Sequence, residues 1–344
     1  MMATDPHVKS EKHGSLGLLT LDRPQALNAL THGMIKALTA QLQSWAADDA
    51  IKSVAIRGAG TRAFCAGGDI RAVQQAVLAD DAPAGAALLR DEYKMNALIG
   101  RYAKPYIALI HGICMGGGAG VSVHGKYRLA DDTLAFAMPE TGIGFIPDVG
   151  SSYFLSRCPD QLGLYLGLTG LAIGLDDALD AGLITHAVHP HDFDAVIESL
   201  AQGEDAQKAV ARISRKSAAG RLREHRRRIA TIFSATSVEA ILERLDRDGS
   251  EFARQTAQVM RTRSPTSLKL VFRQIRDGAR MDLMQCLAME FRLALRVLET
   301  PDFREGVRAA LVDKDRSPKW RPSALAGVGD VGSFFASLGG KELF

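Results

Sequence analysis

A chain of 344 residues is long enough for one large domain or two ordinary ones, and its 47% hydrophobic content is ample for a buried core. With 24% charged residues the composition is that of a globular protein, which excludes an intrinsically disordered chain. A net charge of +3 is too small to argue for nucleic acid and does not oppose an anionic small molecule, so partners have to be read locally.

In chain order, SLGLLTL (15–21) reads as a strand, and DRPQALNAL leads by a turn into a helix over about residues 31–48. SVAIRGAG (53–60) is a short apolar strand closed by glycine. TRAFCAGGDI then reads as a loop, followed by a helical stretch beginning near Ile70. A long helix over about 86–102 ends before KPYIALIHG (104–112), a strand of the buried type. ICMGGGAGVSVHG reads as a glycine-rich turn into an apolar helix, and YRLADDTLAFAMPE (127–140) as two short strands. Strand, loop and helix thus repeat, with glycine-rich loops at two strand exits, which defines an α/β arrangement. Beyond about residue 195 the sequence turns to Arg-rich helical segments. The spacing predicts a helix start with Ser264 as N-cap and Pro265 at the first helical position. The chain from Ala324 onward carries no clear signal. The expected division is a core over 1–195 and a helical C-terminal part over 196–344.

Cys65, Cys114, Cys158 and Cys286 form no CxxC pair, so neither a zinc knuckle nor a disulfide framework is expected, and reduced thiols are. The first residues lack the apolar core of a signal peptide, and Asp5 and Glu11 weaken a transit-peptide reading. No apolar run approaches the ~20 residues that span a bilayer. The expectation is a cytoplasmic protein with no membrane contact.

MGGGAG completes neither a Walker nor a dinucleotide fingerprint. Three glycines before a helix nevertheless let a ligand approach backbone N–H groups, where the helix end adds positive potential. CAGGDI supplies a second such loop, with Gly67 and Gly68 before Asp69. Each run also has a plain structural reading, close helix packing for the first and a tight turn with an Asp N-cap for the second. Together they offer the two convergent donors that an oxyanion hole needs. No GxSxG elbow occurs, which leaves a carboxylate as the active group. Glu140, after Pro139 in apolar surroundings, suits base or nucleophile work, and Asp148 follows in the turn IPDVG. Solvated loop acids are the competing reading for both. His186, His189, His191 and Asp192 match no helical ligand spacing and read as a polar loop, so no metal is expected. Five arginines in 221–228 read as a solvated helix face, with phosphate contact as the alternative.

LDRPQALNAL, AFCAGGDI, HGICMGGGAG and PETGIGFIPDVG, in this order, resemble segments of the crotonase (enoyl-CoA hydratase/isomerase) superfamily. RDEYKMN, Asp148 after Ile-Pro, and DFREGVRAALVDKDRSPKW (302–320) make the likeness strongest to the 3-hydroxyisobutyryl-CoA hydrolases. The resemblance implies a crotonase-like spiral of strand-strand-helix units with a helical C-terminal part. It implies thioester cleavage of a short 3-hydroxyacyl-CoA in valine breakdown, with coenzyme A as part of the substrate and no separate cofactor. It implies that Gly68 and Gly117 hold the thioester oxygen, that Glu140 and Asp148 are the catalytic acids, and that Glu92 contacts the substrate. Gly120 stands where hydratases of the family carry a second glutamate, which speaks against hydratase or isomerase activity. A non-catalytic relative binding RNA through its arginines is the remaining alternative, and no nucleic-acid partner is expected. The family's trimers and hexamers make a homo-oligomer an expectation that the extended C-terminal part leaves open.

Overall fold

The computed structural model describes residues 3–69 and 82–344, and these form two compact units, each drawn from separate stretches of chain. The first takes residues 3–69, Lys94–Phe136 and Ile173–Arg221. The second takes residues 82–93, Ala137–Ala172 and Leu222–Phe344. The helices after residue 195 are therefore shared, those up to Arg221 belonging to the first unit. The helical stretch expected from Ile70 lies outside the described residues.

Two sheets organise the first unit. Strands β1 (Val8–His13), β2 (Leu16–Leu21), β3 (Ser53–Gly58), β5 (Tyr106–Ile110), β7 (Tyr127–Ala130) and β9 (His186–Ala187) form one, in that order. Strands β4 (Ala63–Cys65), β6 (Ile113–Met115) and β8 (Ala135–Ala137) form the other. Each of β3, β5 and β7 is followed by a strand of the smaller sheet and then by helical chain, so the strand-strand-helix repeat expected of the spiral is present. From β2 to β9 every pairing in the larger sheet is parallel, with Leu16 opposite Ser53 and Val54 opposite Tyr106. A parallel sheet is covered on both faces, which is why LGLLTL and YIALI are buried throughout and, Thr20 aside, apolar. Leu18, Ile107, Leu109 and Leu129 meet Val196, Leu200 and Val210 from the helices Asp192–Ala201 and Ala206–Ile213 in one core.

Three short elements depart from the sequence reading. β1, VKSEKH, pairs antiparallel at the sheet edge with nearly every side chain exposed, so it carries no apolar signal. Its lysines are a usual guard on an unpaired edge. TRAFCAGGDI contains β4, and the glycine run is preceded by β6 and itself forms a single helical turn, Gly117–Gly120, in place of a longer apolar helix.

The second unit is a packed set of capped helices. Ser237, Ser250, Ser264 and Thr300 each accept a backbone N–H of the first turn they precede, and Asp282 with Gln285 forms a reciprocal capping box. Ser264 caps helix Pro265–Gly278 as the sequence predicts, accepting from the N–H of Ser267 at 3.1 Å. Leu343 is buried, and the preceding segment is tied by Arg90, which donates to the carbonyl of Lys341 at 2.7 Å. Arg292 meets the Glu342 carboxylate at 2.9 Å. Arg226 and Arg228 of the basic run pair with Asp160 and Asp248.

Candidate active site

In the first unit the two glycine loops come together. The chain at Gly67 and Gly68 pairs with Leu30: Leu30 donates to the carbonyl of Gly67 and Asp69 donates to the carbonyl of Leu30, both bonds skipping Gly68. In a parallel bridge of this kind the middle residue's own N–H points away from its partner. Gly67 has φ +117°, and a Cβ there would stand 3.8 Å from the amide nitrogen of Gly117. Gly116, at φ +49°, turns the chain so that Gly117 opens the helical turn, where the first N–H groups have no partner within the helix. Gly118 lets that turn sit against β4, since a Cβ would fall 2.2 Å from the carbonyl oxygen of Cys65. Gly68 and Gly117, expected as a donor pair, are thus on adjoining loops of one unit. Gly120 is buried in the same turn.

The acids gather in the second unit. Pro139 starts a 3-10 turn, Glu140–Ile143, and buries Glu140, while Gly144 reverses the chain at φ +69°. Asp148 precedes Val149 and Gly150, both left-handed, and the short helix Ser151–Leu155. Glu92 and Tyr93 project from helix Ala82–Gly100. Glu92, Glu140 and Asp148 are each at most 7% exposed, which removes the reading of solvated loop acids. Tyr93 donates its hydroxyl to Asp148 Oδ2 at 2.7 Å. Glu92 Oε1 and Glu140 Oε2 are buried with no hydrogen-bond partner among the described residues.

Burial dominates their electrostatics. It pushes the Glu92 carboxyl up to about 8, with the Asp148 charge adding to the effect. Burial, again reinforced by Asp148, holds Glu140 well above the usual carboxylate range. Asp148 is raised only to about 6, because the Tyr93 hydroxyl and a backbone N–H favour its charged form against burial. Three neighbouring carboxyls of unequal acidity can therefore divide proton donation and acceptance between them.

Glu290, which the sequence reading did not single out, completes the cluster. From helix Leu283–Leu298 it accepts the backbone N–H groups of Gly150 and Ser152, each at 2.6 Å, and so shapes the turn behind Asp148. Its carboxyl is pushed up to about 8, burial outweighing those donors. The sequence held a signal for it: Cys286, Leu287, Leu293 and Ala294, the neighbours at i±3 and i±4, are all apolar.

The segment 302–320 explains itself locally. Asp302 accepts from Ser264 Oγ at 2.6 Å and from the N–H of Arg321 at 2.7 Å, and Trp320 donates to the carbonyl of Thr262 at 2.9 Å. Helix Pro301–Val307 lies directly on the Glu140 turn: a Cβ on Gly306 would reach the Ile143 carbonyl carbon at 2.2 Å, and one on Gly144 the Asp302 carbonyl oxygen at 2.3 Å. His186 lies in β9, and His189 and His191 stack at 5.4 Å on the first unit. No group of three or more His, Cys, Asp or Glu with metal-binding geometry occurs among the described residues. Among those residues, too, no helix is long and apolar enough to cross a membrane.

Paired sheets threaded by strand-strand-helix repeats, two apposed glycine loops and a buried carboxyl cluster define a crotonase-type fold. The enoyl-CoA hydratase/isomerase family model matches residues 16–333, and the chain belongs to that family. Along its length it is similar to 3-hydroxyisobutyryl-CoA hydrolase, mitochondrial, of Danio rerio, 46% identical over 97% of this chain and 90% of the relative. The Xenopus tropicalis protein of the same name is 46% identical over 96% of this chain and 89% of the relative. A solved structure, a carnitinyl-CoA dehydratase from Mycobacterium thermoresistibile, superposes with a TM-score of 0.94 at 39% identity, covering 99% of each chain.

Proposed function

We propose that this protein hydrolyses the thioester of a short 3-hydroxyacyl-CoA, 3-hydroxyisobutyryl-CoA first among them, to the free acid and coenzyme A. The observation that carries the reading is the burial of Glu92, Glu140 and Asp148 in one cluster, in a chain similar throughout to relatives named for this reaction. In the proposed chemistry the Gly68 and Gly117 amides take the carbonyl oxygen as it gains negative charge. Glu140 attacks the carbonyl carbon to give a mixed anhydride, which a water then cleaves to the free acid and the Glu140 carboxylate, or Glu140 deprotonates a water that attacks the carbonyl carbon directly. The C–S bond breaks, and Asp148 passes a proton to the departing thiolate. Glu140 acts in its charged form here, so its proton moves toward Asp148 when substrate enters, reversing the order of ionisation in the free protein. Glu92, held neutral by burial, donates to the acyl hydroxyl. Coenzyme A belongs to the substrate, and no further cofactor is invoked.

We further place the reaction in valine breakdown and the protein in the cytoplasm. Four buried cysteines that form no disulfide among the described residues fit a reducing compartment. The similar relatives are mitochondrial, so fractionation of the source cells is the test of this placement.

The test of activity is free-thiol release from 3-hydroxyisobutyryl-CoA, beside crotonyl-CoA and acetyl-CoA, by the wild type, Glu140→Gln and Asp148→Asn. Release from the hydroxyacyl substrate alone, lost in both variants, supports the reading. The similarity to a carnitinyl-CoA dehydratase favours a second one, reversible loss of water from a 3-hydroxyacyl-CoA with Glu140 as base. Formation of enoyl absorbance without thiol from the same mixture would select it.

A further inference from the structure

Tyr93 and Glu290 sit inside the acid cluster, yet the proposed chemistry gives neither a duty. Tyr93 is fully buried, its ring packed edge-on against Phe291 at 6.1 Å, and its hydroxyl is 2.7 Å from Asp148 Oδ2. Glu290 holds the turn that follows Asp148, binding the N–H groups of Gly150 and Ser152 at 2.6 Å and the Ser151 hydroxyl at 3.4 Å. Asp148 is therefore held twice, through its own carboxylate and through the turn at residues 150–152.

The groups facing Asp148 are Glu92, Tyr93, Glu140 and Glu290, and all of them are acids. Among the described residues no Lys, Arg or His makes an ion pair with it. Without such a pair among the described residues, charge in the cluster favours the carboxyls that have hydrogen-bond donors. Glu92 Oε1 and Glu140 Oε2 have none, and Glu140 has only a backbone donor. Asp148 has the Tyr93 phenol, whereas the donors on Glu290 are those of the turn it holds.

We propose that Tyr93 is a positioning residue: by donating to Asp148 Oδ2 it makes Asp148 ionise ahead of Glu92 and Glu140, on a turn that Glu290 holds in place. The inference rests on the reading of Asp148 as a working acid. It is tested in two ways, only one of which needs turnover.

The first measurement is the titration of ¹³C-labelled aspartate carboxyls by NMR without substrate, with Asp148→Asn to assign the resonance, in wild type and Tyr93→Phe. Losing a hydrogen bond to a charged group should move the Asp148 titration upward by about one to two pH units. The second is the pH profile of kcat/KM for thiol release, whose acid limb should move upward with the resonance, while KM stays within about twofold. A variant that merely loosens the fold lowers activity at every pH and leaves the limb where it was.

A resonance and limb that both stay in place overturn the proposal. A resonance that moves in a protein that releases no thiol supports Tyr93's control of the ionisation and overturns the hydrolase reading instead. Should Tyr93→Phe not fold, a fluorotyrosine at position 93 keeps the ring and makes the phenol more acidic. The Asp148 titration should then move downward, and no movement rejects the proposal.

Discussion

Glu290 and Gly150, 140 positions apart in the chain, meet at 2.6 Å, the carboxylate accepting the backbone N–H of the turn that carries Asp148. A second N–H, from Ser152, reaches the same carboxylate at 2.6 Å. Removing the side chain leaves two buried donors without a partner. Glu290→Ala should therefore cost about 2 to 6 kcal/mol of stability, at about 1 to 3 kcal/mol for each orphaned group. Urea unfolding monitored by circular dichroism measures this, and a loss under about 1 kcal/mol would mean that water replaces the carboxylate.

Glu92 gives the protein a pH dependence of definite sign. Its carboxyl ionises at about 8 in the folded chain against an ordinary 4.5, so folding keeps a proton that the unfolded chain gives up. The associated stability is complete below pH 4.5 and is lost as pH rises toward 8. Glu92→Gln, which cannot ionise, should be more stable than wild type at the upper end, and the gap should close toward the lower one. Denaturant midpoints at several pH values give the answer, and a gap independent of pH counts against a proton held at Glu92.

The glycine loops separate a chemical role from a packing role. A methyl group on Gly68 meets nothing within 4 Å, whereas one on Gly118 would fall 2.2 Å from the Cys65 carbonyl oxygen. Gly68→Ala should leave the melting temperature within about 2 °C and reduce kcat/KM at least tenfold by crowding the proposed oxyanion donor. Gly118→Ala should lower the melting temperature itself. Equal thermal effects from the two would remove the case for Gly68 as a donor.

Gly306 is the link between the C-terminal segment and the Glu140 turn. A Cβ there has to displace the Ile143 backbone, 2.2 Å away, and the 3-10 turn with it. Gly306→Ala should lower kcat by about 10²-fold, since misplacement of a reacting group by about 1 Å has that effect. Steady-state kinetics beside a melting curve check it. Full activity would show that the turn absorbs the change.

How legible this was in the sequence follows physical lines. Buried parallel strands announce themselves as apolar runs, and Ser264-Pro265 announces a helix start, because in both cases the cause lies within a few residues. Glu140 and Asp148 stand out as acids among Gly, Pro and apolar neighbours. β1 was hidden because an exposed edge strand needs no apolar face, and β4 and β6 because three residues beside glycines carry too short a pattern. Glu290 was hidden by distance: in MQCLAMEFRLAL it reads as the polar point of an amphipathic helix, although its helical neighbours are all apolar. Tyr93 lay within a recognised motif, but its duty depends on a partner 55 positions away.

The reach from Glu290 to the Asp148 turn also sets an order of events during synthesis. Residues 140–152 leave the ribosome well before helix Leu283–Leu298 exists, and domains form from the N-terminal side first. In that interval the N–H groups of Gly150 and Ser152 have only water to bind. Contacts of such long sequence separation form slowly. The carboxyl cluster is therefore among the last features of the protein to take shape, and a newly made chain acquires its secondary structure before it acquires its chemistry.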